Sequence, residues 1–248
     1  DDLLGALTRG VCVLHPKQND IEAGSLVSEN GLALAKHRAA KKGVIKGDDL
    51  ARGFAWLRPN DLIWNYVINN YLLGQDPPAF DVLFWNADAT NLSGALMGDF
   101  LTVFETLAFT KKGEVEMVDH KIDLSKVTSD LFILGGVTDH ITPWKATYRS
   151  TQLFGSKDVT YVLSHSGHMQ AILNPPGNPK AKYYIQGDGE KKLPATADEW
   201  LKGTEEVAGS WWPYWIDWVQ TRSGKKKKAP AKLGTKQYAP IDAAPGQY

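Results

Sequence analysis

The 248-residue chain has a single cysteine, Cys12. One thiol excludes a disulfide framework within the chain and fits a reducing compartment such as the cytoplasm. No apolar run approaches the roughly 18 residues that span a bilayer, so no transmembrane segment is expected, and no signal-peptide pattern opens the sequence. Charge bias is also lacking. Lys+Arg and Asp+Glu both number 28, which leaves no electrostatic footprint for nucleic acid. A complete nucleophile elbow, G-x-S-x-G or G-x-C-x-G, is missing as well. Gly10-Val11-Cys12-Val13-Leu14 comes nearest, but a leucine stands where the second glycine should allow a tight strand-to-helix turn. His15-Pro16-Lys17 would not continue a helix cleanly either. Cys12 is therefore expected to be a buried, inert thiol rather than a nucleophile.

Tryptophan is abundant, with nine in the chain, and Trp211, Trp212, Trp215 and Trp218 fall close together. Such side chains serve cores, interfaces and greasy ligand channels. The pattern predicts a helix from about Leu26 to Lys42, stopped at Gly43. A second runs from Asp48-Asp49 to Trp56-Leu57 and is broken by Pro59. A third is capped at Asn60-Asp61 and ends at Gly74. An apolar extended run, Phe80 to Trp85, precedes a fourth helix from Ser93 to Phe109. From Ile122 the period changes. Leu131–Leu134 and Val159–Leu163 are short and apolar throughout, as buried parallel strands are. Thr142-Pro143 predicts a helix start, with the helix ending near Gly155. Further helices are expected over Asp198–Val207 and Ser210–Thr221. The expected organisation is a mainly helical cap over 1–120, whose start could belong to the core, an α/β core over 121–224, and a Lys/Pro/Ala-rich tail over 225–248. The tail, which opens with Lys225-Lys226-Lys227-Lys228, is solvated or touches an anionic surface.

Two short segments carry the chemistry. Gly136-Val137-Thr138-Asp139-His140-Ile141-Thr142-Pro143-Trp144 follows the first apolar strand, and Ser166-Gly167-His168 follows the second. The C-terminal edge of a parallel sheet is where open α/β proteins place ligands. A histidine there can exchange a proton near neutral pH, and a carboxylate on its other nitrogen fixes the tautomer. Asp139 and His168 are the candidate catalytic pair, with His140 and Trp144 as candidate walls of the site. The competing reading is that Asp139 caps the helix region at Thr142 and His168 is an ordinary loop residue. His140 and His165 lie nearby, but no helix presents them as spaced ligands, so no metal and no cofactor are expected. His15, His37 and His120 carry no supporting pattern.

An acid after one strand and a histidine after the next, in that order, resembles the closing half of an α/β-hydrolase. More specific motifs point to one family with that fold. Arg58-Pro59-Asn60-Asp61-Leu62-Ile63-Trp64-Asn65-Tyr66, Asn69-Asn70-Tyr71-Leu72-Leu73-Gly74 and Phe84-Trp85-Asn86-Ala87-Asp88 resemble the polyhydroxyalkanoate synthases. So do Asp139-His140-Ile141-Thr142-Pro143-Trp144, Ser166-Gly167-His168, Asn174-Pro175-Pro176-Gly177-Asn178-Pro179-Lys180, Gly209-Ser210-Trp211-Trp212-Pro213 and Ala244-Pro245-Gly246-Gln247-Tyr248. The resemblance runs from about residue 24 to the end and is nearest the single-subunit synthases.

It implies an α/β-hydrolase fold with a helical cap, and an acyltransferase that polymerises (R)-3-hydroxyacyl-CoA into polyester with release of CoA. Asp139 and His168 would complete a triad whose cysteine lies in an elbow upstream of residue 1, so the isolated chain is expected to be inactive. The substrate and the growing polyester would be its partners, at the surface of cytoplasmic polymer granules. A homodimer would form through the cap, with Trp85 among the packing or interface aromatics. Two other readings stay open: an esterase or depolymerase on the same fold, and a non-catalytic partner of a full synthase or a granule-binding protein.

Overall fold

The computed structural model describes residues 28–57, 59–77, 89–139, 141–187 and 192–243. Cys12, the run Phe80–Trp85 and His140 lie outside the described residues. The fold is α/β. The described residues within Asp1–Lys41 and Ala95–Ser223 form one compact unit, and those within Lys42–Gly94 and Gly224–Tyr248 form another.

Helix α1 (Glu29–Lys42) starts where the Ser28 hydroxyl accepts from the Gly31 amide at 3.0 Å, slightly inside the start expected at Leu26. Gly43 stops it with a φ of +71°. In the smaller unit β1 (Val44–Ile45) pairs antiparallel with β2 (Leu92–Ser93). Between them in sequence lie α2 (Gly47–Leu57) and two wide π-helical stretches, Asn60–Trp64 and Val67–Leu72. Gly47 starts α2 at a close approach. Its amide donates to Asn91 Oδ1, and a Cβ there would lie 2.6 Å from that of Ala89. Residues 224–243 form neither helix nor strand.

Helix α3 (Gly94–Thr106) leads into the larger unit, followed by a hairpin of β3 (Glu116–Met117) and β4 (His120–Lys121). The centre of this unit is a four-stranded sheet in the order β5 (Leu131–Gly136), β6 (Val159–Ser164), β7 (Lys182–Gln186), β8 (Thr204–Ala208). β5 and β6 are parallel, while β7 and β8 each join antiparallel. Helices α4 (Trp144–Ser150), α5 (Ala197–Lys202) and α6 (Trp212–Arg222) accompany it. β5 is apolar throughout because both its faces are covered. Leu131 and Ile133 pack with Tyr148, Tyr161, Leu163 and Trp200 on one face. Phe132 and Leu134 pack with Val162, Tyr183 and Trp211 on the other. In the tryptophan cluster Trp211 thus belongs to the core, and half-buried Trp212, Trp215 and Trp218 pack against it. Phe132 meets the rings of Trp211 at 5.9 Å and Trp218 at 5.6 Å. At the far end of α6, Arg222 pairs with Asp130 and Asp158, the residues just before β5 and β6, and stacks over Trp218 at 4.2 Å. α6 therefore ends at the amino-terminal ends of β5 and β6.

Two helix expectations change. α4 ends at Ser150, well short of Gly155. The helix expected over Asp198–Val207 is two elements. Thr196 caps α5: its hydroxyl accepts from the Glu199 amide and donates to the Glu199 carboxylate at 2.8 Å. Gly203 then ends the helix, and the chain pairs with β7 as β8. β7, which the sequence reading left unassigned, closes on the end of β6 through Leu163↔Tyr184 and Ser164↔Tyr183.

Candidate active site

The two loops that leave β5 and β6 are zipped together beyond the last strand residues. The Val137 amide donates to the Ser164 carbonyl at 2.9 Å, and the Thr138 amide to the Ser166 carbonyl at 3.2 Å. The His165 amide donates to Lys182 of β7, which fixes the second loop from its other side. Gly136 makes this approach feasible. A Cβ there would sit 2.8 Å from the Ser166 carbonyl oxygen and 3.0 Å from the Ala171 Cβ. At Gly167 a Cβ would meet nothing closer than Thr138 Oγ1 at 3.5 Å, so the tight position is Gly136.

This zipper brings Asp139 and His168 together. His168 Nδ1 lies 3.0 Å from Asp139 Oδ1 and 2.9 Å from Oδ2. The Asp139 side chain is 1% exposed, whereas that of His168 is 29% exposed. Asp139 Oδ1 also accepts from the amides of Ile141 (3.0 Å) and Thr142 (2.9 Å), and Oδ2 accepts from the Thr142 hydroxyl at 2.6 Å. Burial works to raise the carboxyl pKa, but the bond to His168 and then those from Thr142 outweigh it and hold the group at about 2. An ionised carboxylate only accepts, so the proton between the two side chains sits on Nδ1. Nε2, across the ring, is then the basic nitrogen.

Two further sets of contacts support the pair. The buried Tyr161 hydroxyl, its pKa pushed up chiefly by burial, donates to the Trp144 carbonyl at 2.9 Å and lies 2.8 Å from the Thr147 hydroxyl. This anchors the first turn of α4, directly after the Asp139 loop. On the other side, the indole N–H groups of Trp211 and Trp212 donate to the carbonyls of Ala171 (2.8 Å) and Ile172 (2.9 Å). The Ser210 hydroxyl donates to the Asn174 carbonyl. These three carbonyls belong to the turn that follows His168, so the Gly209-Ser210-Trp211-Trp212 motif grips the segment carrying the histidine. No local signal in the sequence announces bonds between residues so far apart.

The helix-capping alternative for Asp139 does not describe its contacts: α4 begins at Trp144 without a side-chain cap, and the two amides on the carboxylate, of Ile141 and Thr142, belong to the loop before it. Trp144 is half-buried and lines a cavity of about 320 Å³ with Val137, Leu163, Tyr184, Leu201 and Glu206, beside the pair rather than around it. His165 is exposed and stacks near Tyr184. Among the described residues no three His, Cys, Asp or Glu side chains converge as a metal site. No described helix is long and apolar enough to cross a membrane.

A family model of the alpha/beta hydrolase fold matches residues 5–175. The chain belongs to the alpha/beta hydrolase fold family. Over its whole length it is 44% identical to poly(3-hydroxyalkanoate) polymerase 1 of Ectopseudomonas oleovorans, of which it covers 43%. It is 48% identical over 91% of its length to polymerase 2 of the same organism, covering 40% of that protein. A poly(3-hydroxyalkanoate) polymerase subunit of Cupriavidus necator is 40% identical over 83% of the chain and 34% of the relative. These relatives bear out the resemblance to the polyhydroxyalkanoate synthases. The chain spans about two fifths of the length of the first two.

Proposed function

We propose that this alpha/beta hydrolase chain carries the acid and the base of a cysteine-dependent acyltransferase that polymerises (R)-3-hydroxyacyl-CoA. The observation that carries this reading is the contact of His168 Nδ1 with both Asp139 oxygens, at the exits of adjacent parallel strands. The likeness to proteins named poly(3-hydroxyalkanoate) polymerases supplies the reaction class. Nε2 takes the proton of a cysteine thiol located upstream of residue 1. The thiolate attacks the thioester carbonyl, the C–S bond to CoA breaks, and the departing thiolate receives that proton. In the lengthening step a 3-hydroxyl attacks the enzyme thioester. Its proton passes to Nε2 and the enzyme thiolate leaves. Asp139 keeps Nδ1 protonated and offsets the imidazolium charge in both steps. Residues 1–120 serve mainly as a cap and dimer surface, 121–224 as the core, and 225–248 as a tail. The protein works in the cytoplasm at the polyester surface.

The test uses the protein carrying this chain together with its upstream thiol. Incubation with (R)-3-hydroxyacyl-CoA is expected to release CoA and form insoluble polyester, with both lost in His168→Ala and Asp139→Ala. Free 3-hydroxy acid without polyester would make the protein a hydrolase. Undiminished turnover in His168→Ala would refute the assignment.

A further inference from the structure

We infer that Thr142 is a positioning residue for acyl transfer, its hydroxyl holding the Asp139 carboxylate in the plane in which both oxygens face His168. This rests on the reading of Asp139 and His168 as acid and base.

A serine or threonine before Pro-Trp suggests a helix cap, but this threonine does not act as one. Pro143 is extended (φ −53°, ψ 133°), α4 begins only at Trp144, and no side chain caps it. Thr142 is 6% exposed, so its hydroxyl needs a partner inside the protein. That partner is Asp139 Oδ2, at 2.6 Å, within the range of a charge-assisted O–H···O⁻ bond. The other oxygen, Oδ1, is held by the Ile141 and Thr142 amides, which are fixed by the backbone. Rotation about the Cβ–Cγ bond carries both oxygens with it: the amides resist it at Oδ1, and at Oδ2 the Thr142 hydroxyl is the donor besides His168 itself that resists it. His168 Nδ1 sits almost equally far from the two oxygens, an arrangement that tolerates little pivoting. Catalytic groups misplaced by a fraction of an ångström lose rate steeply.

The experiment compares Thr142→Val, which keeps the branched shape without the hydroxyl, with Thr142→Ser, which keeps the hydroxyl, beside Asp139→Ala, all in the protein that includes the upstream thiol. The valine variant is expected to lose about tenfold in kcat with KM unchanged, and serine to recover it to within about threefold. Asp139 is ionised near neutral pH with or without this bond, so the loss should be uniform between about pH 6 and 8. A loss confined to the acidic side would mean that the hydroxyl sets charge rather than orientation, and would overturn the inference. Equal losses in the serine and valine variants would do the same, because shape would then be the cause. Full turnover in Thr142→Val beside an inactive Asp139→Ala overturns the inference alone. Turnover preserved in Asp139→Ala removes the acid–base reading as well. Thr142→Ala is the second hydroxyl-free variant should valine fail to fold.

Discussion

Replacing Asp139 by asparagine separates shape from proton logic at the centre of the site. The side chains are nearly isosteric, and the surroundings dictate how the amide must sit. Two backbone N–H groups, of Ile141 and Thr142, point at Oδ1 and cannot turn away. The asparagine oxygen must stay with them, because an NH₂ there would face two donors. The NH₂ therefore takes the place of Oδ2, where it confronts the Thr142 hydroxyl and His168 Nδ1. The hydroxyl can rotate and accept. Nδ1 lies almost equally near the retained oxygen, but that oxygen already takes two amides, so the NH₂ draws the imidazole into accepting, which moves its proton to Nε2, the atom proposed to take the thiol proton. The expected result is an intact fold with the wrong tautomer and a kcat lower by on the order of 10³ to 10⁴.

The assay is CoA release from (R)-3-hydroxyacyl-CoA, with kcat and KM fitted separately. KM should hold, since no contact made by the ground-state substrate is removed. Nitrogen NMR of ring-labelled histidine reads the tautomer directly. Asparagine turnover above about a tenth of wild type, with Nδ1 still protonated, would refute both the geometry and the proposed use of Nε2.

Other perturbations address the supports of the pair. Gly136→Ala places a methyl against the Ser166 carbonyl and Ala171, which should cost about 1–3 kcal/mol in a denaturant titration and lower kcat at least tenfold. Gly167→Ala meets only an ordinary contact at 3.5 Å and should leave both near wild type. Trp211→Phe keeps the aromatic contact with Phe132 but leaves the Ala171 carbonyl without its indole donor. It should cost about 1–3 kcal/mol, with kcat lowered more than KM is raised. The Asp139 carboxyl is depressed from 3.8 to about 2, so its contribution to stability is present above about pH 4 and lost as pH falls through about 2. Urea unfolding of wild type and Asp139→Asn across that window should converge by on the order of 2 kcal/mol as the pH drops.

The juxtaposition of Asp139 and His168 was legible because β5 and β6 are buried on both faces. That burial writes them as unbroken apolar runs, and the chain order after them has few structural meanings. The helix stops at Gly43 and Gly74 were legible for a local reason, since both take the left-handed conformation. β7 and β8 were not legible. Thr196 and Glu199 do start a helix, but the sequence reading carries it past its stop at Gly203 to Val207. What makes Thr204–Ala208 a strand is its pairing with Lys182–Gln186, which no window of sequence contains. The tryptophan cluster had the opposite difficulty: its composition was plain, but core, interface and channel all suit it. Packing on Phe132, together with the indole bonds to the turn after His168, decides the matter.

One carboxylate here does two jobs, and this bears on how any Asp139 variant is read. Oδ1 braces the loop before α4 through two amides, and both oxygens contact His168. Alanine removes both roles, so a loss of turnover in Asp139→Ala cannot say which role mattered. Asparagine keeps an oxygen for the amides and cancels the orientation of the imidazole, while His168→Ala keeps the amide bonds and removes the proposed base. If the two roles are distinct, Asp139→Ala should be less stable than Asp139→Asn by about 1–3 kcal/mol, the usual cost of leaving donors without their acceptor, measured above pH 5. The two variants should nevertheless be almost equally inactive. An aspartate that only braced the loop would give the reverse pattern: asparagine near wild type in turnover, and alanine impaired in proportion to its lost stability.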